Sequence, residues 1–113
     1  MIITGSFDET HTTLTIDSPR GRRLFAGVLL SNLVDDDDFT LTFQREDGES
    51  FVNYATYNIT KTSGVISING TEQTLGEINF ENVYVNNSHG VKFTITKNSS
   101  TWRTIPYWYE VST

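Results

Sequence analysis

Alternation of apolar and polar residues with a period of two recurs along most of the chain. The clearest runs are residues 39–44, where Phe39, Leu41 and Phe43 take every second position, and residues 91–96, which repeat the pattern. Such alternation is typical of a strand with one buried face. Further extended runs are predicted at residues 10–16, from residue 51 onward, at 83–85 and at 102–111.

The most continuous apolar stretch, Leu24 to Leu30, predicts a central strand that is covered on both faces. A helix is disfavoured here because Gly27 lies in its middle and no capping residues flank it. The alternating runs and this stretch together predict a core. Its members are Leu14, Ile16, Leu24, Phe25, Val28, Leu30, Phe39, Leu41, Phe43, Val91, Phe93 and Ile95.

Turn signals separate these runs at the spacing of an all-β domain. Asp47-Gly48, Ser63-Gly64 and Asn69-Gly70 supply residues that accept the positive φ of a tight turn. We therefore predict about eight or nine short strands in one domain covering residues 1–113. The expected fold is an all-β, antiparallel, jelly-roll-like sandwich, with a small barrel as the alternative.

The composition supports this prediction and removes disorder as an alternative. The 113 residues include 17 threonines, whose branched side chains suit a half-exposed strand surface. Aromatic residues make up 12% of the chain and are spread along it, which argues against disorder. The absence of cysteine excludes disulfides, thiolate zinc sites and iron–sulfur clusters.

The charge and the apolar pattern of the chain argue against two classes of partner, nucleic acids and membranes. The chain has eight Lys and Arg residues and 14 Asp and Glu residues, so its net charge is −6. This acidic balance argues against a nucleic-acid partner. No apolar run approaches the roughly 18 residues of a membrane helix, so we expect no membrane partner. The first eight residues lack the features of a signal peptide, which predicts a cytoplasmic protein unless it is packaged in a virion.

Motifs for catalysis are missing from the sequence. It contains no G-x-S-x-G elbow and no glycine-rich phosphate loop, and its two histidines, His11 and His89, lie in a Thr-rich run and in a turn. We expect no catalytic residue, no cofactor and no metal site, and hence no enzyme. A glycosidase with paired carboxylates is the one enzymatic alternative that spacing leaves open.

The run Asp35–Asp38 is the most conspicuous charged feature. It does not fit an EF-hand, because Thr40 stands where that loop needs glycine and a strand begins at Phe39. Three interpretations remain open: a solvated loop at a strand end, a calcium site that relieves carboxylate repulsion, and a patch for a basic partner.

Three of the eight basic residues, Arg20, Arg22 and Arg23, fall in one predicted loop. Arginine makes bidentate contacts with carboxylates and phosphates. The loop either balances acidic residues of its own chain, such as Asp35–Asp38, or contacts carboxylates of a neighbouring chain. We expect salt to weaken an intermolecular contact of this kind.

The C-terminal run 102–111 is the richest in aromatic residues. Adjacent strand residues point to opposite faces, so Tyr107 and Tyr109 share one face and Trp108 takes the other. Pro106 favours an edge position or the start of a strand. We predict a contact surface made of Trp102, Arg103, Tyr107, Trp108 and Tyr109. The alternative is that other loops of the same chain cover the second face.

A small, cysteine-free, Thr- and Asn-rich β-sandwich with an aromatic C-terminal strand resembles the cement or decoration proteins of tailed bacteriophages. The resemblance implies a non-enzymatic virion structural protein, a homo-oligomer and often a trimer, that stabilises a capsid shell. A head-fibre base or a tail component fits nearly as well. The alternative function is a carbohydrate-binding module that stacks sugars on Trp102, Tyr107, Trp108 and Tyr109.

Overall fold

The structure is a computed structural model, which describes residues 1–16, 23–47, 50–74, 76–84, 90–98 and 101–111. Its described residues form ten strands and no helix, which confirms the all-β prediction and exceeds the predicted strand count. The strands are β1 (Ile3–Phe7), β2 (Thr13–Ile16), β3 (Arg23–Leu29), β4 (Asp38–Asp47), β5 (Ser50–Thr62), β6 (Val65–Ile68), β7 (Thr71–Gln73), β8 (Glu77–Tyr84), β9 (Val91–Lys97) and β10 (Ile105–Val111).

Two antiparallel sheets pack face to face. One has the strand order β1-β10-β3-β8 and the other has the order β2-β9-β4-β5-β6-β7. The pairs are nested, because β1 pairs with β10, β2 with β9, β3 with β8 and β4 with β5. This nesting is the jelly-roll topology, with the hairpin strands β6 and β7 added to one sheet, and it confirms the predicted fold class.

The alternation in the sequence determines which residues lie on each face of the six-stranded sheet. Phe39, Leu41 and Phe43 of β4 are buried between the sheets, as are their neighbours on β9. The polar residues of the same strands form the outer face. A row of four threonines crosses four neighbouring strands there: Thr13, Thr94, Thr42 and Thr56.

Two tight turns connect β5, β6 and β7. Ser63-Gly64 has φ values of 51° and 81°, and Asn69-Gly70 has values of 52° and 81°. Two consecutive positive φ angles define the hairpin turn that matches the twist of paired strands. The Asn69 carboxamide also accepts a hydrogen bond from the Asn58 N–H at 2.8 Å, which ties this turn to β5.

The core contains ten of the twelve residues predicted for it, and two predictions require correction. Leu14 is only half-buried, because β2 is an edge strand of its sheet. Phe25 is also half-buried and alternates with Leu24 and Ala26, which are both buried, so it points to the outer face. Among the described residues, seven more belong to the core: Phe7, Ala26, Leu33, Ile59, Ile78, Phe80 and Ile105.

Candidate functional site

Strand β10 lies between β1 and β3, so the edge position that Pro106 favoured is wrong and the strand-start position is right. Pro106 is the second residue of β10 and pairs with Ser6 of β1. The register with β3 begins one residue later, at Tyr107 opposite Val28. The missing N–H of Pro106 therefore lies at the end of the β10–β3 pairing and not within it.

The two tyrosines of β10 face the core. The Tyr107 ring lies 4.9 Å from the Phe7 ring and 6.4 Å from the Tyr109 ring, measured between centroids. Burial of its hydroxyl, and secondarily the charge of Tyr109 when ionised, raise the pKa of Tyr107 above the ordinary tyrosine value. The tyrosine face of the predicted contact surface is thus engaged within the chain.

Trp108 points to the outer face of the four-stranded sheet. Its indole Nε1–H donates a hydrogen bond to the Glu77 carboxylate at 2.6 Å. The ring occupies the space above Gly27, the residue opposite Trp108 on β3, where any Cβ would collide with both Trp108 and Glu77. Trp108 therefore lies across the sheet, anchored at its nitrogen, with an aromatic surface directed away from the core.

Beside this ring is an open groove of about 470 Å³. Its lining residues are Ile2, Thr4, Gly5, Leu29, Pro106, Tyr107 and Trp108. Strand alternation and register place Thr4, Leu29 and Pro106 on the same outer face as Trp108. We call this surface, made of the groove and the Trp108 ring, the Trp108 groove.

Trp102 and Arg103, also predicted as contact residues, are engaged within the chain. Trp102 packs against the core, with its ring centroid 5.6 Å from that of Phe39. The Arg103 Nε–H donates to Asp37 Oδ2 at 2.9 Å, and Asp37 is only 2% exposed. Any intermolecular role for these two residues stays a prediction.

The acidic run forms a turn in which the carboxylates of Asp35, Asp37 and Asp38 have partners in the chain. Asp35 Oδ1 accepts the Gly64 N–H, Asp37 Oδ2 accepts the Val34 N–H, and Asp38 Oδ1 accepts the Asn98 amide, at 2.8–3.0 Å. Arg103 contacts this run through Asp37. Among the described residues, which include all of 35–38, no group of three or more potential ligands is arranged to hold a metal ion.

The predicted arginine loop is described only in part. Arg20 and Arg22 lie outside the described residues. Arg23 is the first residue of β3, and its exposed side chain has an interaction within the structure.

His11 belongs to a local turn. Asp8 Oδ1 accepts hydrogen bonds from the Thr10 N–H, the Thr10 hydroxyl and the His11 N–H, all within 2.9 Å. These bonds hold the pKa of Asp8 below its ordinary value. His11 and Thr10 thus converge on one oxygen within a single turn, which is a turn geometry rather than a catalytic one. His89 lies outside the described residues.

No protein-family model and no curated protein matches the chain. Within the described part of the chain, no helix is long and apolar enough to cross a membrane.

The residues of the site that escaped the sequence reasoning include Gly27, Leu29 and Glu77. A glycine inside a strand often lies where another group comes close to the backbone, and at Gly27 that group is the Trp108 side chain. The run Leu24–Leu30 concealed it, because a continuous apolar stretch does not show which residues face outward. Glu77 is 31 residues before Trp108, and only the nested strand order brings the two together.

Proposed function

We propose that the protein is a non-enzymatic structural protein of a virus particle, most simply a capsid decoration protein, and that it attaches through the Trp108 groove. The observation that carries the proposal is the apolar, aromatic outer face of the four-stranded sheet, where Trp108, Leu29 and Pro106 surround an open groove. Interface centres are enriched in tryptophan that fills pockets on a partner.

The fold is compatible with this role. Double-sheet jelly rolls are found in viral capsid and lectin domains, although a fold does not by itself define a function. The Glu77 carboxylate holds the indole in one orientation, so little conformational freedom is lost when a partner covers it. A pre-oriented tryptophan is suited to a stable, specific protein contact.

The test is cosedimentation with shells assembled from the major capsid protein of the same genome. We expect the wild-type chain to sediment with the shells and Trp108→Ser to bind about ten-fold or more weakly. Val52→Ser, an exposed residue of the other sheet, is the matched control and should bind like wild type. A wild-type chain that stays in the supernatant contradicts the proposal.

A second candidate is carbohydrate binding, favoured by one observation. A flat indole with a carboxylate at its edge and a groove of about 470 Å³ beside it has the size and chemistry of a small-ligand site. A pyranose ring would stack on Trp108, and Glu77 or Asn79, which lies opposite Gly27 on β8, would accept its hydroxyls.

Fluorescence titration with soluble oligosaccharides of glucose, galactose and N-acetylglucosamine separates the two functions. The sugar function predicts saturable quenching in the isolated chain that disappears in Trp108→Ala. The structural function predicts no saturable change with any of these sugars. Trp102 is held against the core and provides an internal reference for the emission.

A further inference from the structure

Strand β1 is one edge of the four-stranded sheet and lies at the margin of the Trp108 groove. Residues Ile3–Phe7 pair with β10 on one side, and no strand of the described chain pairs with the other side. An open edge presents a row of N–H and C=O groups to which another strand can bond.

Pro106 shows which backbone groups of β1 face outward. In an antiparallel pair, opposite residues alternate between pairs that exchange two hydrogen bonds and pairs that exchange none. The pair Ser6–Pro106 cannot be of the first kind, because proline has no N–H. The N–H and C=O groups of Ser6, and by the same alternation those of Thr4, are thus directed to the open edge.

Apolar side chains are exposed on both faces of the sheet at this edge. Ile3 has the same inward orientation as Phe7, yet Ile3 is 45% exposed and Phe7 only 1%. Ile2 lines the groove on the outer face and is 59% exposed. A strand added alongside β1 would cover both isoleucines at once.

The other three edges are less suited to pairing. β8 contains Glu77 and has a register shift against β3, and β7 has three residues, one of them Glu72. Charges, bulges and shortness are the usual means by which sheet edges are protected. β2 is uncharged, but its apolar residues Leu14 and Ile16 are already half-buried or buried. β1 has neither charge nor proline.

We propose that the β1 edge binds the β1 edge of a second copy of this chain, so that two four-stranded sheets become one eight-stranded antiparallel sheet. A second copy of β1, related by a twofold axis, can form the backbone hydrogen bonds that this edge leaves open. Thr4 and Ser6 lie symmetrically about Gly5, so the outward groups of two antiparallel copies of β1 match each other. Chains of net charge −6 repel one another, and β1, which has no charged side chain, is an edge at which two copies can approach closely.

The pairing would place two Trp108 grooves next to each other across the twofold axis. The inference rests on the proposed function only in assigning a purpose to this arrangement, which is to present two grooves to one assembly. The pairing itself depends on β1 alone. Its failure and the failure of the proposed function are therefore distinguishable.

Sedimentation equilibrium of wild type and of Thr4→Pro tests the proposal. We expect wild type to associate to twice the 12.8 kDa of the chain. In Thr4→Pro each copy loses one outward N–H that β10 does not use, so the dimer dissociation constant should rise about thirty-fold. Thr4→Val keeps the N–H and the branched shape, and as the matched control it should dimerise like wild type.

Ser6→Pro is the second variant, because Ser6 also directs its N–H outward, and it should weaken the dimer to a similar extent. Circular dichroism and a thermal melt establish that each proline variant is folded. A wild-type chain that remains monomeric at millimolar concentration overturns the proposal, as do folded proline variants that dimerise normally. Trp108→Ser should still dimerise while losing capsid binding, which separates the two proposals.

Discussion

At the residue scale, the buried ion pair between Arg103 and Asp37 is expected to contribute to the free energy of unfolding. Asp37 is 2% exposed, and among the described residues Arg103 is the cation that pairs with its carboxylate. A buried carboxylate that loses its partner is left uncompensated in a poorly solvated site. Because Arg103 is itself 31% exposed, water replaces part of the contact, and we expect Arg103→Met to cost about 2–3 kcal/mol.

Urea unfolding monitored by tryptophan fluorescence measures this loss. Lys97→Met, an exposed position at the end of β9, is the control and should change the free energy of unfolding by less than about 0.5 kcal/mol. Equal effects of the two variants would mean that the buried ion pair does not contribute to stability.

The two tyrosines with raised pKa values predict the alkaline behaviour of the protein. Burial, and then the neighbouring tyrosines, raise the pKa of Tyr57 and of Tyr107 above the usual value near 10. A folded-state pKa above the unfolded value favours the folded protein at pH below 10, and that contribution is lost as the pH rises through the folded pKa. We therefore expect the free energy of unfolding to decline above about pH 10.

The double variant Tyr57→Phe/Tyr107→Phe has no hydroxyl to ionise at these positions. Its unfolding free energy, measured by chemical denaturation from pH 8 to pH 11.5, should decline less steeply than that of wild type. Identical slopes for the two proteins would contradict the assignment.

At the scale of the strand, Gly27 of β3 keeps the outer face of the sheet flat enough for Trp108. Gly27→Ala puts a methyl group where the indole and Glu77 meet, so the ring must move. We expect a loss of about 1–3 kcal/mol and a shift in tryptophan emission. Gly76→Ala is the matched control, since its Cβ would be 4.0 Å from the nearest atom, the Ser31 nitrogen, and should be nearly neutral in both measurements.

The regular strands could be predicted from the sequence, and the irregular ones could not. β4 and β9 have one buried and one polar face, so their pattern alone defines both the strand and its orientation. β1 escaped prediction because Thr4, Gly5 and Ser6 are small, and only its ends carry apolar side chains. Phe25 was assigned to the core because every residue around it is apolar, and such a run contains no information about faces.

The candidate site, like the strands, could be predicted only where the sequence alternates. Alternation separated Trp108 from Tyr107 and Tyr109, and the structure shows that division. Which face would be the outer one depends on the position of β10 between β1 and β3. That order is determined by long-range pairing, which local sequence patterns do not encode.

At the scale of the whole molecule, the net charge of the chain predicts how salt would change the proposed contact between copies. Two chains of net charge −6 repel each other overall. Raising the salt concentration from about 0.1 M to about 1 M shortens the screening length from about 10 Å to about 3 Å. If the contact is the uncharged β1 edge, salt removes repulsion without weakening the backbone hydrogen bonds, and the dimer should become tighter.

A contact made by Arg20, Arg22 and Arg23 with carboxylates of a neighbour would respond in the opposite way, because salt screens attraction between opposite charges. The dissociation constant measured by sedimentation equilibrium across this salt range therefore discriminates between the two surfaces. Thr4→Pro controls for nonspecific salting-out and should show far weaker association than wild type at both salt concentrations. Weakening of the wild-type dimer by salt would assign the contact to the arginines, whereas strengthening, absent in Thr4→Pro, would assign it to β1.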